Sequence, residues 1–380
     1  MKYETTEQMA ERMGVTVRTI QKRAAAGKIP GAVKTGRDWK IPVTSDSLKQ
    51  YVPMPLLNSV FPLGECKEYI KHISNEHERR IALGEYYYFS GQAEKAVRVV
   101  EPYLYSKNDA LRYSAALIYA FANLTCDHIA HTQFALEIVR TELNSDLQAN
   151  LSPQSRALAV LMSKAATVLL HIPFTDLPDL GEYMKYLPGG LKMFAGYVWA
   201  HETYLEKNYE RSLAIADMAL AMSDDIYPIS AIYIHNVATM ALMNMMRIDE
   251  AKERLAKAWS YAKQDHLIEA FGEHHGLLQG MLEVYLKETE PQVFDEIIDI
   301  VYRFSSGWRK IQRMIVNKEV ADNLSTTEFA VAMLYSRNWT IKEIARHMGM
   351  SERTVKHYIT VIYEKLSVHS RSGIEQFMLQ

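Results

Sequence analysis

Cysteine is nearly absent: Cys66 and Cys126 are the two in 380 residues. Two thiols cannot build a disulfide framework, and their scarcity fits a reducing compartment. No charged leader followed by an apolar stretch marks export. Nor does any apolar run approach the roughly 18 uninterrupted residues a membrane helix needs; the stretch around Ala157 to Ile172 is broken by Ser163 and Lys164. A soluble cytoplasmic protein with no membrane partner is expected. There is no GxxxxGK[ST] phosphate loop, so an ATP-driven switch is not supported. A front half without βα alternation provides no phosphoacceptor pocket. His274 and His275 lack a nucleophile at motif spacing, so catalysis is disfavoured and no cofactor is expected. Cys126, Asp127, His128 and His131 lie within six residues, but a fourth ligand is not evident and no metal is expected.

What is present is most informative near the C-terminus, in NWTIKEIARHMGMSERTVKHYITVIYEKL from Asn338 to Leu366. Thr340 three residues before Glu343 makes a capping box that starts a short helix. Gly349 supplies a tight turn, and Ser351 opens a second helix. Two short helices joined by a glycine turn make a helix-turn-helix. Ala345 is small enough for close crossing. Val355, Ile359, Ile362 and Leu366 recur at offsets of four, three and four, which defines the buried stripe of the second helix. Its other face carries Arg353, Lys356, His357 and Thr360, side chains able to reach phosphates and base edges in a major groove.

These residues resemble the LuxR-type DNA-binding domain. Leu324, Ser325 and Glu328 are similar to its opening motif, IKEIA to its scaffold helix, SERTVK and IYEKL to its recognition helix, and HSR at His369 to Arg371 to its fourth-helix entry. Thr327 and Tyr358 depart from the arginine and histidine usual in the family. The resemblance covers residues 318–380 and implies a four-helix DNA-binding domain. It nominates Lys342, Ser351, Arg353, Thr354, Lys356, His357, Thr360 and Lys365 as DNA contacts. It also implies homodimerisation through a final helix, with Ile374, Phe377 and Met378 on one stripe.

Charge is distributed unevenly. Residues 1–51 carry 10 Lys and Arg against 5 Asp and Glu, whereas residues 52–317 carry 25 against 33. A basic front end and an acidic middle suggest that phosphate is met at the ends. In TTEQMAERMGVTVRTIQKRAAAGKIPG, Thr5 and Gln8 make a second capping box and Thr16 is placed to cap a second helix. Ala10, Gly14 and Ile20 repeat the spacing of Ala345, Gly349 and Val355. AVKTGRDWKIP then reads as a β-hairpin, a basic wing. The segment resembles the excisionase and MerR-like winged helix-turn-helix over residues 1–52. It nominates Thr16, Arg18, Gln21, Lys22, Arg23, Lys34, Arg37 and Lys40 for DNA, while Trp39 is expected to pack the wing on the helices. Contact with protein instead of DNA stays open. No dimerising heptad follows, and Pro53 and Pro55 read as a linker.

Residues 62–317 are helical almost throughout. GQAEKAVRVVEPYL, NYERSLAIADMAL and RIDEAKERLAKAW each place a small residue, Ala96, Ser212 or Ala251, in a second helix; Tyr103, Ala219 or Ala258 follows seven positions on. They resemble a degenerate tetratricopeptide repeat, which implies a curved solenoid with a concave binding face. The 19 methionines suit adaptable packing between helices.

The expected architecture is mainly α: winged helix-turn-helix, helical-repeat sensor, LuxR-type output domain. The expected function is sequence-specific transcription regulation on double-stranded DNA, as a homodimer. An unknown small molecule, peptide or protein binds the repeats, and RNA polymerase is a candidate partner. An architectural or recombination accessory protein, and a repeat scaffold localised by its ends, are the alternatives.

Overall fold

The computed structural model describes residues 2–13, 16–25, 29, 32–36, 38–43, 51–144, 153–170, 177–316, 324–375 and 377–378. At the N-terminus β1 (Lys2–Glu4) precedes α1 (Thr6–Met13), α2 (Val17–Ala25), β2 (Val33–Thr35) and β3 (Asp38–Val43). Thr5 N–H donates to Gln8 Oε1 at 3.0 Å and Gln8 N–H returns to Thr5 Oγ1 at 3.3 Å, the reciprocal cap expected before α1. Thr16 Oγ1 accepts from Thr19 N–H at 3.3 Å and starts α2. β2 and β3 pair antiparallel, Thr35 opposite Asp38, across the left-handed Gly36. The strand β1 lines the other edge of β3; three residues are too few for periodicity to disclose. Trp39 packs on the small core of Ala10, Ile20 and Ile41 as expected. Gly14 and Arg37 lie outside the described residues.

After α3 (Cys66–His72), two helical hairpins follow: α4 (Glu76–Phe89) with α5 (Ala93–Val100), and α6 (Asp109–Thr125) with α7 (Ile129–Asn144). Then come α8 (Pro153–Leu170) and the short α9 (Leu180–Tyr183). Two more hairpins join α10 (Gly189–Leu205) to α11 (Tyr209–Ala221) and α12 (Pro228–Asn244) to α13 (Ile248–Ala262), before α14 (Glu269–His274), α15 (Met281–Tyr285) and α16 (Pro291–Val316).

All four hairpins use one three-residue turn. Its middle residue is left-handed: Gly91, Asp127, Lys207 or Met246. In each, the next N–H donates to the carbonyl five residues back: Gln92 to Tyr87 at 2.8 Å, His128 to Asn123 at 2.8 Å, Asn208 to Thr203 at 3.2 Å and Arg247 to Leu242 at 3.0 Å. This is the Schellman closure, which satisfies an otherwise orphaned helical carbonyl. The fourth residue of each second helix is small and fully buried: Ala96, Thr132, Ser212 and Ala251. Thr132 and Ser212 hydroxyls also donate across the pair, to the Ala120 carbonyl at 3.1 Å and the Ala200 carbonyl at 2.7 Å. The sequence reading found three of these hairpins and missed the one at Thr132.

The inner helices α4, α6, α8, α10, α12 and α14 neighbour one another in that order, and α14 returns to α4. The curved solenoid expected from the repeats therefore closes into a ring. Closure is completed by α16, which lies on α14 and α6. Only glycine permits so close an approach: a Cβ at Gly272 would fall 2.3 Å from Ile300, and one at Gly307 2.0 Å from the Leu124 carbonyl.

The proline-containing segment read as a linker is instead packed into this body. Tyr51, Met54, Leu56, Leu57 and Phe61 are buried. Leu56 and Leu57 N–H groups donate to the Glu85 carboxyl at 2.8 and 2.9 Å, and Met54 N–H donates to Ser114 Oγ at 2.8 Å. The prolines do not exclude burial here, because fixed polar partners meet the N–H groups of a segment folded in bends and turns.

The last four helices are α17 (Thr326–Ser336), α18 (Ile341–His347), α19 (Glu352–Leu366) and α20 (Arg371–Glu375). No helix among the described residues is long and apolar enough to cross a membrane.

Candidate nucleic-acid interface

Local sequence sets the geometry of the C-terminal helices. Thr340 Oγ1 accepts from Glu343 N–H at 3.2 Å, and the Glu343 carboxylate accepts from Thr340 N–H at 2.7 Å. These bonds hold the Glu343 carboxyl below its ordinary value. Gly349 takes the left-handed turn at φ 64°. Ser351 Oγ then accepts from Thr354 N–H at 3.0 Å and fixes the start of α19. Val355, Ile359, Ile362 and Leu366 are all buried, as the offsets predicted. Burying that stripe leaves Ser351, Arg353, Lys356, His357 and Thr360 exposed, with Thr354 half-buried. Lys342 is exposed on α18. So is Arg346, a cation that sequence reasoning passed over although its place in the last turn of the scaffold helix signalled it.

Lys365 has another commitment. Its ammonium donates to both oxygens of Glu328, at 2.9 and 2.7 Å, tying α19 to the start of α17. Glu328 also completes the capping box with Ser325. Burial opposes its ionisation, but the bonds from Lys365 and Ser325 hold its carboxyl below the ordinary value. In the stripe nominated for dimerisation, Ile374 and Met378 are buried in the core and Phe377 is half-buried against it. A domain this small has few apolar residues to spare, so its last ones close its core first.

At the N-terminal end Thr16, Arg18, Gln21, Lys22, Lys34 and Lys40 are exposed. Arg23 is half-buried; desolvation lowers its pKa against the pull of Asp109 on α6, so it faces the repeat body.

Residues 317–378 match the model of the bacterial regulatory proteins of the luxR family. The C-terminal end is a LuxR-family helix-turn-helix domain. The chain is also 29% identical over 86 residues, 23% of its length, to the probable transcriptional regulatory protein SgaR of Hyphomicrobium methylovorum, of which the alignment spans 41%. No solved structure matches the chain.

This LuxR-family domain is seated on the ring. Arg337, just past the end of α17, donates to Tyr204 Oη at 3.0 Å and to Asn244 Oδ1, reaching the ends of α10 and α12. His347 Nε2 meets the Gln279 carbonyl at 3.0 Å. Phe329 packs where Gly276 lacks a side chain; a Cβ there would fall 2.4 Å from its ring. None of these contacts uses the exposed face of α19.

Between Cys126 and His131, side chains pack against their neighbours. His131 stacks on Tyr119 and meets its hydroxyl at 3.2 Å, and Asp127 pairs with Lys310.

Proposed function

We propose that the protein is a sequence-specific DNA-binding transcription regulator whose helical repeats receive an effector. The observation that carries this reading is α19: a fully buried stripe anchors the helix, and Arg353, Lys356, His357 and Thr360 stand exposed on the opposite side. Phosphate neutralisation by the cations supplies affinity, and the base-facing side chains supply choice of site.

The N-terminal unit is read as a second DNA-binding module of winged helix-turn-helix type. Two capped helices, a basic hairpin and an independent small core support that. Its contacts reduce to Thr16, Arg18, Gln21, Lys22, Lys34 and Lys40, with Arg37 nominated by sequence. The repeated turn and buried small residue support a tetratricopeptide-like origin for the middle. Homodimerisation remains part of the reading, but Ile374 and Met378 cannot supply its surface while they fill the core.

Genome-wide occupancy with transcript profiling of a deletion strain tests the whole. Promoter-proximal peaks with changed transcripts support the regulator. Peaks at attachment sites turn the reading to a recombination accessory protein, and absence of peaks to a scaffold. The N-terminal part is tested separately: replacing Lys34 and Lys40 by alanine reduces the slope of log affinity against log salt by about 1 for each phosphate no longer neutralised.

A further inference from the structure

A cavity of about 170 Å³ lies at the seam between the ring and the LuxR-family domain. Aromatic residues from four helices line it: Phe121 of α6, Tyr197 of α10, Trp308 of α16 and Phe329 of α17. Polar side chains line it too: Glu273 and His274 of α14, His201 of α10 and Arg309 of α16. An apolar cavity of about 150 Å³ accepts a benzene ring, so the space suits one ring with a short side chain.

The polar residues narrow the chemistry. Glu273 is half-buried and accepts hydrogen bonds from the hydroxyls of Tyr88 and Tyr233. A carboxylate offers about four acceptor positions, so two phenols leave room for a further donor. His274 does not compete as a cation. Its Nδ1 meets the Ala270 carbonyl at 2.7 Å, so Nδ1 carries the proton, and Nε2 accepts from Tyr197 Oη at 2.7 Å. Burial pushes its pKa down to about 4, which keeps the ring neutral. Aromatic faces beside a carboxylate with acceptor positions to spare are an environment that favours an ammonium group, through the ring quadrupole and a charge-assisted hydrogen bond together.

We propose that this cavity is the effector site, and that it takes a small aromatic amine with its ring among Phe121, Trp308 and Phe329 and its ammonium on Glu273. This deepens the reading of the protein as an effector-controlled regulator and rests on it for the consequence, though not for the binding. The consequence follows from the walls. Because Phe329, Thr326 and Met333 belong to the LuxR-family domain, an occupant touches ring and reading head at once. It therefore has a different affinity for the seated and unseated arrangements, which is what a ligand needs in order to shift their populations.

The test uses the full chain and three isosteric probes: 2-phenylethylamine, 2-phenylethanol and phenylacetate. Binding is followed by calorimetry and by the thermal midpoint, without DNA. The amine binds at least about tenfold tighter than the alcohol and raises the midpoint, and the acid does not bind. In Glu273→Gln the preference for amine over alcohol is lost. No binding of the amine at millimolar concentration, or equal binding of amine and alcohol, overturns the proposal. The wild-type comparison stands even where the variant fails to fold. Failure here, with operator binding intact, removes the site and leaves the regulator; loss of specific DNA binding by the chain, with amine binding intact, does the reverse.

Discussion

Lys365 and Glu328 stand at opposite ends of the LuxR-family domain's sequence, and the ammonium of one lies 2.9 and 2.7 Å from the two carboxylate oxygens of the other. The pair locks the last turn of the recognition helix onto the first turn of α17. Glu328→Gln halves that interaction and weakens the cap on Ser325, so it lowers the domain's stability by about 1 to 2 kcal/mol at neutral pH. The pH dependence has a definite sign. A carboxyl held below its unfolded value of 4.5 contributes stability that is present above that value and is lost as pH falls through the folded one. Urea midpoints at neutral and acid pH check both: the gap between wild type and Glu328→Gln closes on acidification. A gap that does not change with pH rejects the role given to the charge.

The reading head separates binding from stability. Lys356→Ala and His357→Ala each weaken specific DNA binding by about 1 to 3 kcal/mol for a good base interaction removed, with the circular dichroism spectrum unchanged. Val355 is fully buried, so Val355→Ala lowers the domain's thermal midpoint, by an amount that corresponds to about 1 to 3 kcal/mol. Wild-type affinity in both surface variants sinks the assignment of α19 as the reading helix.

Local signals carried most of what was legible in the sequence. The capping boxes at Thr340 and Thr5, the Ser351 cap and the stripe from Val355 to Leu366 all depend on neighbours a turn or two away, and all stand in the structure as read. Hairpins were legible where their small residue was alanine or serine. The α6–α7 hairpin escaped because threonine fills the same place. Everything set by a partner distant in sequence was hidden. Nothing in VIYEKL says that Lys365 will meet Glu328, nothing around Arg23 announces Asp109, and PLLNS gives no sign of Glu85. Ring closure is of the same kind, since it depends on two glycines meeting helices far away in the chain.

Arg337 is the polar latch between ring and reading head. Its guanidinium reaches Tyr204 and Asn244 and lies 5.9 Å from the Tyr204 ring centroid. Arg337→Ala leaves the α10 and α12 ends without that donor and costs the seam about 1 to 3 kcal/mol. Hydrogen exchange measures it: amides of α17 exchange faster while those of α12 keep their protection. Unchanged exchange in α17 shows that the apolar seat of Phe329 on Gly276 holds the domain alone.

Glu85 supplies a pH signature for the ring itself. It is fully buried, and desolvation pushes its carboxyl up to about 8 against the two N–H groups of Leu56 and Leu57. A carboxyl whose folded pKa lies above the unfolded value contributes stability that is complete below about 4.5 and is lost as pH rises through about 8. Glu273, raised to about 7, acts in the same direction. His235 and His274, each pushed down to about 4 by burial, act in the opposite one: their contribution is present above the ordinary histidine value of 6.5 and is lost as pH falls towards 4. The chain is therefore less stable at pH about 9 than near neutrality. Glu85→Gln tests the cause. The amide oxygen can accept one of the two N–H groups, but the amide nitrogen confronts the other, which costs about 1 to 3 kcal/mol near neutral pH. The alkaline loss also becomes shallower, because one of the buried acids that drive it is gone. Thermal midpoints across that range decide the matter: a variant that is less stable at neutral pH with a flatter alkaline limb is expected, and a limb as steep as the wild type's removes Glu85 from the account.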